Sequence, residues 1–225
     1  MTLLERVLHH FFPRAGKALA VIHTLFIKRA LWESMRTGIP LDGHGQPAPW
    51  ITFPALDYLS RLDFSQAHVL EYGGGQSSLW WAARAKTVTT VEGRKEWAER
   101  IRRNAPGNLS LIGPVEGLDY VESPLKGGLM FEVIVIDGFL RLECARAALP
   151  FLVEHGLLIL DNSDWNAPAC RWLREQGMMQ IDFHGFGPVN DYTWCTSVFT
   201  RRQSAVPHRG DPWTEAVYGN LVQPA

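Results

Sequence analysis

From about residue 67 to residue 200, short apolar runs alternate with longer stretches of mixed polarity. The runs at 67–72, 87–92, 109–112, 131–136 and 156–160 are rich in apolar and β-branched residues, which predicts strands buried on both faces. Between them, 76–85, 95–104, 141–153 and 168–176 carry helical periodicity. Strands separated by helices imply crossovers, hence a mostly parallel sheet with helices on both faces. The end departs from this pattern: 179–184 and 193–200 read as strands joined only by the loop 185–192, too short for a crossover, so they pair antiparallel.

Ahead of the sheet, 1–36 reads as helical, in two segments broken near Pro13 and Gly16. A connector at 38–49, dense in glycine and proline, leads to a short helix at 55–62 that packs over the end of the first strand as a lid. The chain therefore divides into a helical extension and lid at 1–62, an α/β domain at 63–203, and an irregular tail at 204–225.

Composition adds exclusions. The 225 residues carry a formal net charge of -1, with 46% hydrophobic and 20% charged residues, the make-up of an ordinary globular chain. Without a charge surplus there is no bulk attraction to nucleic acid, and none is expected as a partner. Cys144, Cys170 and Cys195 have neither paired metal-ligand spacing nor the density of a disulfide framework, which favours a reducing, cytoplasmic setting. The apolar stretch 18–27 is too short to cross a bilayer, and no secretory-type cleavage signal follows it. Leu3, Leu4, Val7, Leu8, Phe11 and Phe12 cluster beside basic residues. They serve packing or homo-oligomer contacts or, alternatively, a peripheral membrane contact through residues 1–30.

The candidate chemistry starts at Gly73, Gly74 and Gly75, which follow the first strand and open a helix at Gln76. Glycine permits close backbone approach, and the unpaired N–H groups of a helix start suit a polar ligand. Ser77 in the first helical turn belongs to the same candidate binding set. A dinucleotide fingerprint wants a third glycine where Ser78 stands, which weakens an NAD-linked oxidoreductase without removing it. Glu71, two residues before the turn, would repel a pyrophosphate and instead suits a cationic or hydroxyl-bearing ligand without phosphates. Glu92 ends the second strand, where a carboxylate can accept ribose hydroxyls; the alternative is a carboxylate favoured by the dipole of the following helix.

The stretch Glu71-Tyr-Gly-Gly-Gly-Gln-Ser-Ser-Leu-Trp-Trp-Ala82 resembles motif I of class I S-adenosylmethionine-dependent methyltransferases, in particular a small bacterial group reading Glu-Tyr-Gly-x-Gly-x-Ser. Val133–Gly138 and Gly156–Asp164 resemble that group's fourth and fifth strands, and the resemblance covers 37 to about 200. It implies a Rossmann-like α/β fold with a mostly parallel seven-stranded sheet and an antiparallel last strand. It also implies methyl transfer to a small-molecule acceptor, at oxygen before nitrogen. Gly73 and Gly75 would line the methionine part of the donor and Glu92 its ribose; Gly74, where the sequence departs from commoner methyltransferase patterns, and Asp137 belong to the same cofactor-binding set. Glu116, after the third strand, would approach the adenine, or is an ordinary exposed loop acid.

A second resemblance is to metal-dependent O-methyltransferases of the catechol and caffeoyl type, in which Asp137, Asp161 and Asn162 would hold Mg2+. Capping of turns is the structural alternative for Asn162. In the catalytic set Asp137 and Asp161 are joined by His184, a general base if no metal binds, with Asp182 expected on the other side of its strand. Arg141 would recognise a substrate carboxylate or balance charge. Trp50, Trp165 and Trp194 with Asn190, Asp191 and Tyr192 would wall the acceptor, or simply pack. A non-catalytic nucleotide-binding protein is the other class these features allow.

Overall fold

The computed structural model describes residues 13–201; the N-terminal apolar cluster and the 204–225 tail lie outside them. The chain enters through α1 (Pro13–His23), a π-helical stretch (Thr24–Lys28) and α2 (Leu31–Thr37). Gly16 lies buried inside α1 and does not break it; the break comes at Ala30, in the left-handed region at φ 51°. A mid-helix glycine costs only about 1 kcal/mol relative to alanine, whereas the turn at 29–30 is anchored from outside. Arg29 grips both carboxylate oxygens of Asp57 (3.0 and 2.5 Å) and lies over the Phe53 ring.

Helix α3 (Phe53–Leu59), with Pro54 in its first turn, precedes β1 (His68–Tyr72). Then follow α4 (Gln76–Ala82), β2 (Thr87–Val91), α5 (Lys95–Asn104), β3 (Leu109–Ile112) and α6 (Gly117–Glu122). The second half runs β4 (Phe131–Ile136), α7 (Arg141–Ala148), β5 (Leu152–Leu160), α8 (Ala167–Glu175), β6 (Met179–Gly185) and β7 (Trp194–Thr200). The seven strands form one sheet in the order β3-β2-β1-β4-β5-β7-β6, with β7 antiparallel to both its neighbours and the other pairs parallel. The Rossmann-like reading of the sequence, antiparallel last strand included, describes this sheet.

Two places differ from expectation. Helix α7 ends at Ala148, and β5 begins four residues before 156. Pro150 cannot continue a helix, and Leu152 already pairs with Phe131 before a register shift to Val133–Leu157. Gly156 fits that irregularity because a Cβ there would meet Glu132 O at 2.9 Å and Leu152 Cδ1 at 2.6 Å. Helix α6 was not anticipated; it is six residues long and turns Tyr120 and Val121 inward.

Strand alternation sorts the core into two layers. Leu70, Tyr72, Ile134, Ile136, Leu158 and Leu160 face α7 and α8. Val69, Val133, Val135, Leu157 and Ile159 face the opposite side, with Ala55, Leu59, Trp81 and Ile101. Chain order reverses across the β1–β4 pair: β2 and β3 lie to one side, β5 to the other. In an open α/β sheet such a reversal leaves a crevice beyond the strands' carboxyl ends. None of the described helices is long and apolar enough to cross a membrane.

Candidate functional site

A cavity of about 450 Å³ occupies that crevice, floored by residues 73–77 and walled by Glu92, Trp97, Tyr120, Asp137, Arg141 and Trp194 among others. The three glycines of its floor have different reasons to be glycine. Gly73 has φ +92°, and a Cβ there would stand 2.7 Å from Gly138 N. At Gly74 a Cβ would meet Ile101 Cδ1 at 2.5 Å and Thr90 Cγ2 at 2.6 Å. Gly75 has extended backbone and would meet only the Trp97 ring, at an ordinary 3.7 Å. Packing therefore accounts for the first two glycines and leaves the third to the cleft.

Glu71 lies beneath the turn and is fully buried; it does not line the cavity. Its position on β1 points it into the layer of Thr90 and Ser78. Its Oε2 accepts from Ser78 Oγ (2.5 Å) and Thr90 Oγ1 (2.9 Å), while Ser78 Oγ also receives the Gly75 N–H (3.1 Å). Ser78, where a dinucleotide site would carry glycine, thus staples the turn. Burial pushes Glu71 up to about 7, although the hydroxyls of Ser77, Ser78 and Thr90 pull the other way. Its other oxygen, Oε1, has no hydrogen-bond partner.

Glu92 does reach the cleft. It receives the Gly74 N–H on Oε2 (2.8 Å) and the Arg94 N–H on Oε1 (2.6 Å), so it fixes the turn while each oxygen keeps accepting capacity. Burial raises its pKa against those two bonds. Ser77 also lines the cavity.

Across the cleft, Asp137 follows β4 and Asp161-Asn162 follow β5, as the sequence predicts, but a divalent metal does not fit among them. The guanidinium of Arg141, in the first turn of α7, already sits there. It donates to Asp137 Oδ1 (3.2 Å), Asn162 Oδ1 (2.9 Å), Gly138 O (3.0 Å) and the main-chain oxygen of Asp161. The Asp161 carboxylate turns away, accepting from Trp194 Nε1 (3.0 Å) and Thr196 Oγ1 (2.5 Å). A cation is thus supplied by the chain, and each of the three residues expected to be a ligand already accepts a hydrogen bond through its side chain. Burial, with the charge of Asp161 adding to it, raises Asp137 well above the usual carboxylate range, opposed by Arg141. Burial raises Asp161 to about 6 against the bonds from Thr196 and Trp194. The Asp137 side chain keeps 24% of its surface exposed.

Besides Glu71, the candidates Glu116 and His184 fall outside the cavity. Glu116 caps the start of α6 as an exposed residue, and Tyr120, one helical turn on, reaches the cleft in its place. His184 is exposed on the sheet edge, away from the cleft, and Asp182 shares its face, since residues two apart on a strand point the same way. Of the acceptor candidates, Trp50, Trp165, Asn190, Tyr192 and Trp194 line the cavity and Asp191 does not. Tyr192 stands between Trp165 and Trp194, with ring centroids 6.2 and 6.0 Å away.

Sequence reasoning missed Gln76, Arg94, Trp97, Tyr120 and Phe139, all of which line the cleft. Trp97 carried a signal, as a single aromatic in the first turn of a charged helix just after Glu92. The segment 50–53, ahead of the helix expected as a lid, borders the cleft: Trp50 lines the cavity and Phe53 N–H bonds to Phe186 O (2.7 Å). Thr52 N–H bonds to Thr196 Oγ1 (3.0 Å), and Thr52 Oγ1 bonds to Phe183 O (2.9 Å).

No protein-family model matches the sequence, and no curated protein does. Among solved structures the chain is similar to a protein from Staphylococcus aureus assigned as a caffeoyl-CoA O-methyltransferase. That match has 17% identity and TM-score 0.55, and covers 82% of this chain and 98% of that one. It is also similar to an rRNA methylase from Streptococcus thermophilus, with 13% identity and TM-score 0.50 over 68% of this chain and 100% of the other. A precorrin-6y C5,15-methyltransferase from Geobacter metallireducens has 14% identity and TM-score 0.50, covering 69% of this chain and 93% of that one. At such identities the likeness establishes the fold, a Rossmann-like sheet shared with methyltransferases.

Proposed function

We propose that the cleft binds S-adenosylmethionine and that the chain transfers its methyl group to a small molecule, at an oxygen atom. The observation that carries this reading is Gly75, a glycine that no internal contact or backbone angle requires, lining a cleft bordered by the Glu92 carboxylate. The residues fit such a donor. Gly75 leaves room for close approach, and Glu92 has lone pairs for a pair of ribose hydroxyls. The unpartnered Glu71 Oε1 leaves an accepting oxygen beneath the turn. When bound, the donor supplies an electrophilic methyl group on sulfur.

The chain supplies alignment and a proton acceptor. Asp137, held by Arg141 and opening into the cavity, is a stronger base than an ordinary carboxylate. At its free oxygen it would take the proton of the acceptor hydroxyl, whose oxygen gains the methyl group as the methyl–sulfur bond breaks. Trp50, Trp165 and Tyr192 give the acceptor end apolar, flat walls. The scheme needs no metal, because Arg141 already supplies a cation beside Asp137 and Asn162.

Thermal denaturation tests it directly. S-adenosylmethionine at a hundredfold excess over its Kd would stabilise the chain by about 2.7 kcal/mol, and NAD would leave the midpoint unmoved. Stabilisation by NAD and none by S-adenosylmethionine would overturn the assignment in favour of an oxidoreductase.

A further inference from the structure

The antiparallel pairing of β6 and β7 sets His184 directly opposite Cys195 and Asp182 opposite Ser197. Asp182 and His184, two apart, share one face, so three side chains of different chemistry meet at the sheet edge. One donor atom from each of Asp182, His184 and Cys195 lies within 4.8 Å of the other two. They line a cavity of about 220 Å³ between the sheet edge and α8, separate from the cleft.

We propose that Asp182, His184 and Cys195 form a binding site for a borderline-soft divalent cation, Zn2+ by its donor set. An imidazole nitrogen, a thiolate and a carboxylate select zinc over magnesium or calcium, which prefer oxygen alone. Zinc holds such donors at about 2.0–2.3 Å, which puts tetrahedral ligands roughly 3.3–3.8 Å apart. The observed spread closes to that by small side-chain rotations. The outer contacts are in place: Asp182 Oδ1 accepts from Ser197 Oγ (2.5 Å) and Gln180 Nε2 (2.7 Å), which orients the carboxylate and leaves Oδ2 to bind. Asp182 and His184 are exposed, so the ion has a path in, whereas Cys195 is buried behind them. Zn2+ would replace the Cys195 thiol proton, which leaves to solvent, and the two anionic ligands would neutralise the ion. Water takes the fourth position. This site stands on residues the methyl-transfer reading does not use.

Cobalt titration of the full-length, chelator-stripped chain tests the proposal, in an H9A/H10A background that removes the paired N-terminal histidines. One equivalent of Co2+ is expected to give thiolate-to-cobalt charge-transfer absorption in the near ultraviolet, displaced by Zn2+. C195S should abolish the band. H184A removes an exposed side chain and, with circular dichroism unchanged, should weaken binding by about tenfold or more; C170S should leave the band in place. Absence of the band, its survival in both H184A and D182N, or its loss in C170S would overturn the proposal.

Discussion

Glu71 has one oxygen that accepts two hydroxyls and another that accepts nothing, in a position with no solvent exposure. Its ordinary pKa of 4.5 rises to about 7 in the folded chain, so folding favours its protonated form. Stability from this group is complete below about pH 4.5 and is lost as pH rises through about 7. Glu71→Gln should therefore flatten the decline between pH 5 and pH 8, by something on the order of 2–3 kcal/mol at the upper end. Urea denaturation at the two pH values reads this, and parallel wild-type and variant curves would count against it. The glycines of the turn separate by the same logic. Gly74→Ala forces a methyl group into Ile101 and Thr90 and should cost about 1–3 kcal/mol. Gly75→Trp should leave the circular dichroism spectrum unchanged and abolish heat of S-adenosylmethionine binding in calorimetry. The three glycines could be picked out of the sequence as a turn, but their separate reasons could not. Those depend on Gly138, Thr90 and Ile101, which are far away in the chain.

At the scale of elements, α7 is more than a crossover. Its Arg141 reaches back to the loop after β4 and across to the loop after β5, and so sets the distance between Asp137 and Asp161. Removing it leaves carboxylates with raised proton affinity and no cation. Arg141→Ala should destabilise the fold by about 3 kcal/mol or more and suppress methyl transfer. Arg141→Lys should recover part of the stability, because one ammonium cannot bond all these oxygens at once. Denaturant midpoints of the pair check both statements. Elements with a clear period were legible: β3 and β4 as short apolar runs and the charged helix α5 match the sequence reading residue for residue. Helix α6 was not, since six residues give less than two turns of periodicity, and the start of β5 was hidden by apolar residues that suit helix and strand alike. The side on which His184 emerges was also misread. Strand periodicity puts Asp182 with it, and only the pairing with β7 shows that both turn towards α8 and away from the cleft.

For the whole molecule, the sheet order makes one crevice and leaves β6 as the far edge. Two sites of different chemistry therefore sit at separate places on one sheet, and chelation should tell them apart. Methyl transfer measured after exhaustive chelation should stay within about twofold of the untreated rate, since a cation in the cleft is supplied by Arg141. Any chelator-sensitive shift should appear in thermal stability through the β6–β7 edge. Loss of turnover restored by Mg2+ would contradict this. The inner strands β1, β4 and β5 could be read from pattern because burial on two faces leaves a continuous apolar signal, and the direction of β6 and β7 from a connecting loop too short for a crossover. The identity of the cation in the cleft could not, because Asp137, Asp161 and Asn162 have the same letters whether a metal or an arginine lies among them.

Thr196 has one hydroxyl and two tasks: it receives the amide of Thr52 from the covering segment and donates to Asp161. Two hydrogen bonds in series polarise one another, so weakening the first weakens the second. The covering segment and the carboxylate are thereby geared together. Swinging residues 50–53 outward to admit an acceptor would leave Asp161 less well solvated by its partners and shift its proton affinity upward from about 6. Entry and exit at the cleft would then carry a proton count, and the acidity of Asp161 would serve as a gauge of whether the gate is shut.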